Sequence, residues 1–287
     1  MGLMRPPRLP FIALAALLLL AACAGPQGPP APVAGAAVAP SPGDPPGPDL
    51  DARAPRGRSE VALPPDRASD PASPPRVLLL GDSISIGYTP FVREHLAEVA
   101  SVSRPMRTRA EGASPRPENC EGTNKGARSV ERWLAMDGAP FDVIHFNFGL
   151  HDMKRVDPDS GRNSNDPLDP HQAGPERYRR QLLAITRALG ASGAQLVFAT
   201  TTPVPSGELR PYREPGDAVA YNRVALEIME QEGVPVNDLF SLVSHSEVQL
   251  QKPEDVHFTR EGSRTLGRAV AGAILEAMET ADAGSTD

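Results

Sequence analysis

The sequence predicts a three-layer α/β/α sandwich whose central β-sheet is parallel. Three observations carry this. Residues 77–80 are a short continuous apolar run, the pattern of a strand buried on both faces, and 141–148 and 195–201 read as further buried strands. The segments between them have apolar residues at helical spacing. Strands alternating with helices imply right-handed crossovers, which cover both faces of a parallel sheet.

The domain begins at Arg76. The first strand, 77–80, ends in Gly81-Asp82-Ser83, and a helix running through Val92, Leu96 and Val99 follows. A helix containing Trp133 precedes the second strand, 141–148. Tyr178, Leu182, Ile185 and Leu189 recur at steps of four, three and four, with Gly190 as the expected cap. The third strand, 195–201, leads to a helix carrying Tyr221, Val224, Ala225 and Ile228, which stops before Gly233. A shorter strand candidate spans 234–239. Leu266, Val270, Ile274 and Met278 mark the last helix.

The rest of the chain has a different composition. Arg5 and Arg8 precede an apolar stretch, 11–20, that is too short for an ordinary membrane span. Leu20-Ala21-Ala22-Cys23 then looks like a bacterial lipobox, so 1–22 is expected to be a signal peptide and Cys23 the lipidated N-terminus. An ordinary secretory signal ending near Ala22 or Ala24 is the alternative. Residues 24–75 hold 15 of the 33 prolines and no sustained apolar period, so 23–75 is expected to be a poorly ordered tether. That leaves a domain over 76–280 and a disordered tail over 281–287. The expected location is the bacterial cell envelope, facing periplasm or exterior. Ala24, where an aspartate would favour inner-membrane retention, points to the outer membrane. Net charge is −7, with basic residues scattered, which argues against nucleic-acid binding. Two cysteines, Cys23 and Cys120, make neither a disulfide framework nor a zinc site.

In a parallel sheet of this kind, sites form at the carboxyl ends of the strands. Ser83 at a strand-to-helix turn would expose its hydroxyl there, with its amide near a helix N-terminus, suited to attack on a carbonyl and to holding the resulting oxyanion. Alternatively, Ser83 or Ser85 only caps the helix. Asp255-Val256-His257, shortly before the last helix, supplies a candidate base with an adjacent acid to orient it. The elbow pattern G-x-S-x-G is absent, since Ser85 stands where its second glycine would be.

Together, these residues resemble the SGNH, or GDSL-type, hydrolase family over roughly 76–278. Residues 77–83 match its first block, Phe146-Asn147-Phe148-Gly149-Leu150-His151-Asp152 its third, and 254–262 its fifth. The resemblance implies a flavodoxin-like sheet, Ser83 as nucleophile and His257 as base. It also implies an oxyanion hole built from the Ser83 amide, a glycine amide of the second block and a third-block side chain. His151 stands where the family has asparagine. A neutral imidazole donates one hydrogen bond, so the role survives with a strength set by pH and tautomer, with Asp152 expected to fix the other ring nitrogen; substrate binding by His151 is the alternative. In 117–123 the expected donor is Gly122, with Gly126 as alternative. The family spacing Asp-x-x-His selects Glu254 as the acid, whereas residue type selects Asp255. Asn119, Asp152 and Thr202 are candidates for substrate contact.

The resemblance further implies a serine esterase acting on small acyl groups, notably acetyl on carbohydrate. It calls for no metal or organic cofactor. Expected partners are a small-molecule or glycan ester and, through Cys23, a membrane; a monomer is expected. The alternatives are a catalytically inactive binding lipoprotein of the same fold, or a lipase, thioesterase or acyltransferase using the same triad. His145 reads as a satisfied core histidine and Cys120 as a packed thiol. The aspartates of 156–174 lack a calcium-loop spacing and read as a solvated loop rimming the site. Thr201 and Thr202 are expected to line the cleft, and Asn222 to bond to their loop.

Overall fold

The computed structural model describes residues 73–108, 112–138 and 140–284. The expected leader, Cys23, the tether up to residue 72 and the last three residues of the expected tail lie outside them.

Strand β1 (Arg76–Leu80) lies inside the sheet, with Val77, Leu78, Leu79 and Leu80 all fully buried. Because side chains alternate across a strand, this run feeds two cores. Leu78 and Leu80 pack with Ile144, Phe146, Phe198, Trp133, Tyr178 and Ile185 on one face. Val77 and Leu79 pack with Val143, Val197, Tyr88, Val92, Leu266 and Ile274 on the other. Two cores flanking one sheet give the three layers the sequence predicts. Truncating a residue such as Leu79 to alanine removes contacts on a site that cannot collapse, which typically costs about 2–5 kcal/mol.

The sheet also contains β2 (Ser101–Ser103), β5 (Val143–Phe146), β6 (Gln195–Ala199) and β7 (Val236–Asn237), in the order β2-β1-β5-β6-β7 and parallel throughout. This is the flavodoxin-like order, with its reversal between β1 and β5. A two-stranded antiparallel ribbon, β3 (Met106–Arg107) and β4 (Arg116–Pro117), stands apart from the sheet. Helices α1 (Ser83–Leu96) and α6 (Arg260–Gly284) carry one core. Helices α2 (Thr123–Leu134), α3 (Pro175–Gly190) and α4 (Asp217–Glu232) carry the other, and short α5 (Leu239–Ser244) follows β7.

Several expected boundaries shift. The second strand ends at Phe146 and the third at Ala199, because the residues that follow turn away to form the site. Gly190 is the last residue of α3, and Ala191 caps it. Gly233 does cap α4, in the left-handed conformation that glycine accommodates (φ 67). Helix α6 runs to Gly284, four residues past the expected domain end, so the first four residues of the expected tail are helical. Among the described residues, no helix is long and apolar enough to cross a membrane.

Candidate active site

Paired registers bring the carboxyl ends of β1, β5 and β6 side by side, with Leu80 opposite Phe146 and Phe146 opposite Phe198. The chain leaves β1 through Gly81 and Asp82. Asp82 is the N-cap of α1 and accepts a hydrogen bond from the Ile84 amide at 2.9 Å. Ser83 is the first residue of the helix, so its amide has no intrahelical acceptor and points out of the positive helix end. Burial pushes the Asp82 carboxyl up, while the Ile84 amide bond and the charges of Arg213 and His257 oppose that shift.

His257 arrives from the loop before α6. That loop is closed by bonds from Lys252 N to His257 O (2.8 Å) and from Thr259 N to Leu250 O (2.9 Å), and it is tied to the β6 exit by Gln251 Nε2 donating to Pro203 O (2.8 Å). His257 Nε2 lies 2.9 Å from Ser83 Oγ, and its Nδ1 lies 2.7 Å from Asp255 Oδ1. Asp255 Oδ1 also accepts from the His257 amide at 3.0 Å. Burial pushes Asp255 up, but the bonds from His257 and the charges of His257 and Lys252 outweigh it, and the net shift is downward. Asp255 therefore stays ionised beneath the imidazole. Glu254, the other candidate acid, does not reach the ring. Its backbone is left-handed (φ 51), which turns its side chain out to the exposed cleft wall. The carboxylate on His257 is Asp255.

The open cleft over Ser83 has an empty volume of about 1210 Å³, with Asn119, Leu150, His151, Lys154, Asn163, Arg213, Val256 and His257 among its walls. His151 comes from the β5 exit, where Gly149 allows the turn. At φ 154, a Cβ there would also stand 2.2 Å from Thr201 Oγ1. Burial, then the charges of Lys154 and Arg213, push the His151 pKa down to about 3. With that pKa the ring is neutral near pH 7. Its Nδ1 is enclosed without a partner, leaving Nε2 as the nitrogen at the cleft. A proton on Nε2 then orphans only a lone pair, so the favoured tautomer presents a donor to the cleft.

Asp152 does not fix that ring, and it does not reach the cleft. It is fully buried, and Oδ1 accepts from Thr123 N at 2.8 Å and lies 2.6 Å from Thr123 Oγ1. Adjacent side chains on this tight turn diverge, and Asp152 instead clamps the N-terminus of α2. The clamp explains Gly122, the N-cap of α2, where a Cβ would stand 2.7 Å from Asp152 Oδ1. The Gly122 amide lies at the N-terminus of α2. Gly126 is excluded as donor, because its amide bonds to Gly122 O at 3.0 Å inside the helix. Asn119 lines the cleft and holds the loop, its Oδ1 accepting from Glu121 N at 2.8 Å. Thr202 is buried and lines a separate small cavity beneath the site with Asp82, Ser85 and Asn147. Thr201 is buried too, tied to Asn222 by bonds in both directions at 2.8 Å.

Burial raises the Asp152 pKa to about 7, against its bonds from Thr123. The geometry agrees with a proton there. Thr123 Oγ1 has one hydrogen but lies between Asp152 Oδ1 and Gln181 Oε1 (2.8 Å), so a protonated carboxyl settles the conflict. The folded state then holds a proton that the unfolded chain has lost. Stability should fall as pH rises from about 4 to about 7 and level off above, by at most ~1.4 kcal/mol per unit. Asp152→Asn keeps an acceptor for Thr123 without the ionisable group. Urea midpoints at pH 5 and 8 should therefore differ less in the variant than in the native chain, and equal differences would refute the protonated state.

The sequence gives no signal for three polar residues at or behind the cleft. Lys154 and Arg213 line it, and Arg104, buried behind Ser83, donates to Thr89 Oγ1 (2.7 Å) and Glu118 O (3.1 Å). His145 and Cys120 are both buried, as expected, but His145 is only half satisfied, since its Nδ1 is enclosed without a partner. His145 is fully buried 3.2 Å from Asn237 Nδ2, with its pKa pushed down to about 3 by burial. Cys120 is a buried free thiol pushed up to about 11 by burial. Asp157, in the 156–174 loop, bonds to Ser160, and among the described residues no cluster of His, Cys, Asp or Glu could hold a metal ion.

Solved structures share this fold. A lipase/acylhydrolase from Enterococcus faecalis is 18% identical with a TM-score of 0.53, over 70% of this chain and 95% of its own. An acetyl xylan esterase is 13% identical with a TM-score of 0.51, over 69% and 99%. A carbohydrate esterase family 3 protein from Talaromyces cellulolyticus is 17% identical with a TM-score of 0.50, over 72% and 99%. No curated protein sequence matches the chain. The model of the GDSL-like lipase/acylhydrolase family matches residues 79–265. With that match covering well over half of the chain, the protein belongs to the GDSL-like lipase/acylhydrolase family of ester-hydrolysing enzymes.

Proposed function

We propose that the protein is a serine esterase that removes small acyl groups, acetyl foremost, from carbohydrate esters. The observation that carries the reading is His257, bridging Ser83 Oγ at 2.9 Å and Asp255 Oδ1 at 2.7 Å. Ser83 Oγ attacks the ester carbonyl as its proton passes to His257 Nε2, and Asp255 holds the ring and stabilises its charge. The amides of Ser83 and Gly122, with His151 Nε2–H, meet the oxyanion. The tetrahedral adduct expels the alcohol, which takes the proton from His257 and leaves an acyl-Ser83 ester. Water then attacks with His257 as base, and the acid departs as Ser83 regains its proton.

The polar cleft walls, Asn119, Asn163, His151 and Arg213, favour a hydroxyl-rich alcohol over a long acyl chain. Similarity to an acetyl xylan esterase and a carbohydrate esterase supports the same class. The leader over 1–22 and Cys23 support a lipid-anchored enzyme of the cell envelope. Hydrolysis of p-nitrophenyl esters from acetyl to palmitoyl, and of acetylated xylo-oligosaccharides, tests the reading. Activity should be highest on acetyl, and a preference for long chains would overturn the substrate class. On the acetyl ester, His151→Ala should lower kcat by about 10²–10³ with little change in KM, the effect of losing one oxyanion donor. His151→Asn, which restores an N–H donor, should recover much of that loss.

A further inference from the structure

Two cations sit beside the nucleophile without a counter-ion. Lys154 is 8% exposed and Arg213 is 7% exposed, and both line the cleft that holds Ser83, His151 and His257. They are held together by the backbone. Arg155 N donates to Tyr212 O and Tyr212 N donates to Ser164 O, both at 3.0 Å, so Lys154 and Arg213 flank one stitched seam between two loops. Arg213 Nε is committed to Leu150 O at 2.8 Å, and Nη1 lies 3.3 Å from Pro211 O. Among the described residues, neither cation is in an ion pair.

The neighbouring carboxylates do not supply the missing charge. Asp255 is bound to His257, and Glu208 stands exposed at the rim 4.0 Å from Arg210. Glu254 is on the exposed wall, and Glu121 pairs with Lys125 at 3.3 Å. Glu121 attracts Lys154 from beyond hydrogen-bond distance, and Asp82 attracts Arg213 in the same way. Burial is the main destabilising influence on both cations, and their mutual repulsion adds to it at Lys154. Arg213, pushed down to about 10, remains protonated at neutral pH. Two nearly buried cations in one wall, with no anion of their own, are costly unless a ligand brings the charge.

We propose that Lys154 and Arg213 form an anion clamp, and that the substrate is an ester bearing a carboxylate or phosphate close to the acylated oxygen, as on an acidic sugar. This rests on the esterase reading above and narrows its alcohol. The anion lies between the Lys154 ammonium and the free Arg213 Nη2, which orients the ester toward Ser83 and His151. Arg213 also bonds to Leu150 O and helps hold the cleft, so Lys154, whose ammonium makes no hydrogen bond among the described residues, is the cleaner residue to change.

The test uses three O-acetylated sugars: an acetyl glucuronate, its methyl ester, and an acetyl glucose 6-phosphate. Acetyl glucuronate should exceed its methyl ester in kcat/KM by at least about tenfold, the effect of one charge-assisted contact. Lys154→Met should shrink that ratio to within about twofold. A phosphate preference larger than the carboxylate preference identifies the phosphate as the natural anion. Calorimetric binding of the same sugars to Ser83→Ala reads the clamp without turnover, and the same ratios are expected there. Equal binding of the glucuronate and its methyl ester, or a preference that Lys154→Met leaves intact, overturns the clamp. Absence of turnover on all three by the native chain overturns the esterase reading instead, and leaves the binding ratios to decide the clamp.

Discussion

Ser83→Ala is expected to abolish ester hydrolysis, with kcat falling by roughly 10⁴–10⁶, and His257→Ala is expected to do the same. Each removes one half of a unit whose parts lie 2.9 Å apart, so the double variant should be no worse than either single one. KM should change little, because the cleft walls are untouched. Fold retention is expected for Ser83→Ala, since the N-cap of α1 is the Asp82 side chain and the serine hydroxyl bonds only to His257 among the described residues. Initial rates on p-nitrophenyl acetate, with circular dichroism as the control, check both points. A hydrolysis rate within tenfold of the native enzyme in either variant would remove that residue from the mechanism.

The second large effect separates two neighbours. Asp255→Asn should lower kcat by about 10³–10⁴, because an amide in place of Oδ1 no longer stabilises the imidazolium and favours the wrong tautomer. Glu254→Gln should change kcat by less than about threefold, since geometry excludes it from the ring. Asp255 is held below the usual carboxylate range, so its protonation does not set the acid limb of a pH–rate profile. Steady-state kinetics of the two variants side by side measure this. The reverse ranking would mean that the loop carrying His257 rearranges when substrate binds.

The contrast between these neighbours shows how far the sequence reaches. Strands β1, β5 and β6 were legible because they are mostly apolar, as burial within the sheet demands. Edge strand β2 is Ser-Val-Ser and β7 has two residues, so neither carries such a run. Ser83 and His257 stood out because each follows a recognisable block at an element boundary. The choice of Asp255 did not, because it depends on the left-handed backbone at Glu254, which no spacing rule contains. Asp152 was misplaced for a related reason. Beside His151 in sequence, it turns inward to Thr123 while the imidazole faces out. Lys154 and Arg213 were invisible, since their juxtaposition comes from bonds between two irregular loops with no periodicity of their own.

The most direct test of the central claim is covalent labelling of the native enzyme with a fluorophosphonate, followed by peptide mass spectrometry. One adduct per chain is expected, on Ser83, lost in Ser83→Ala and strongly slowed in His257→Ala. An active preparation that stays unlabelled, or an adduct on another residue whose formation tracks the loss of activity, would contradict it.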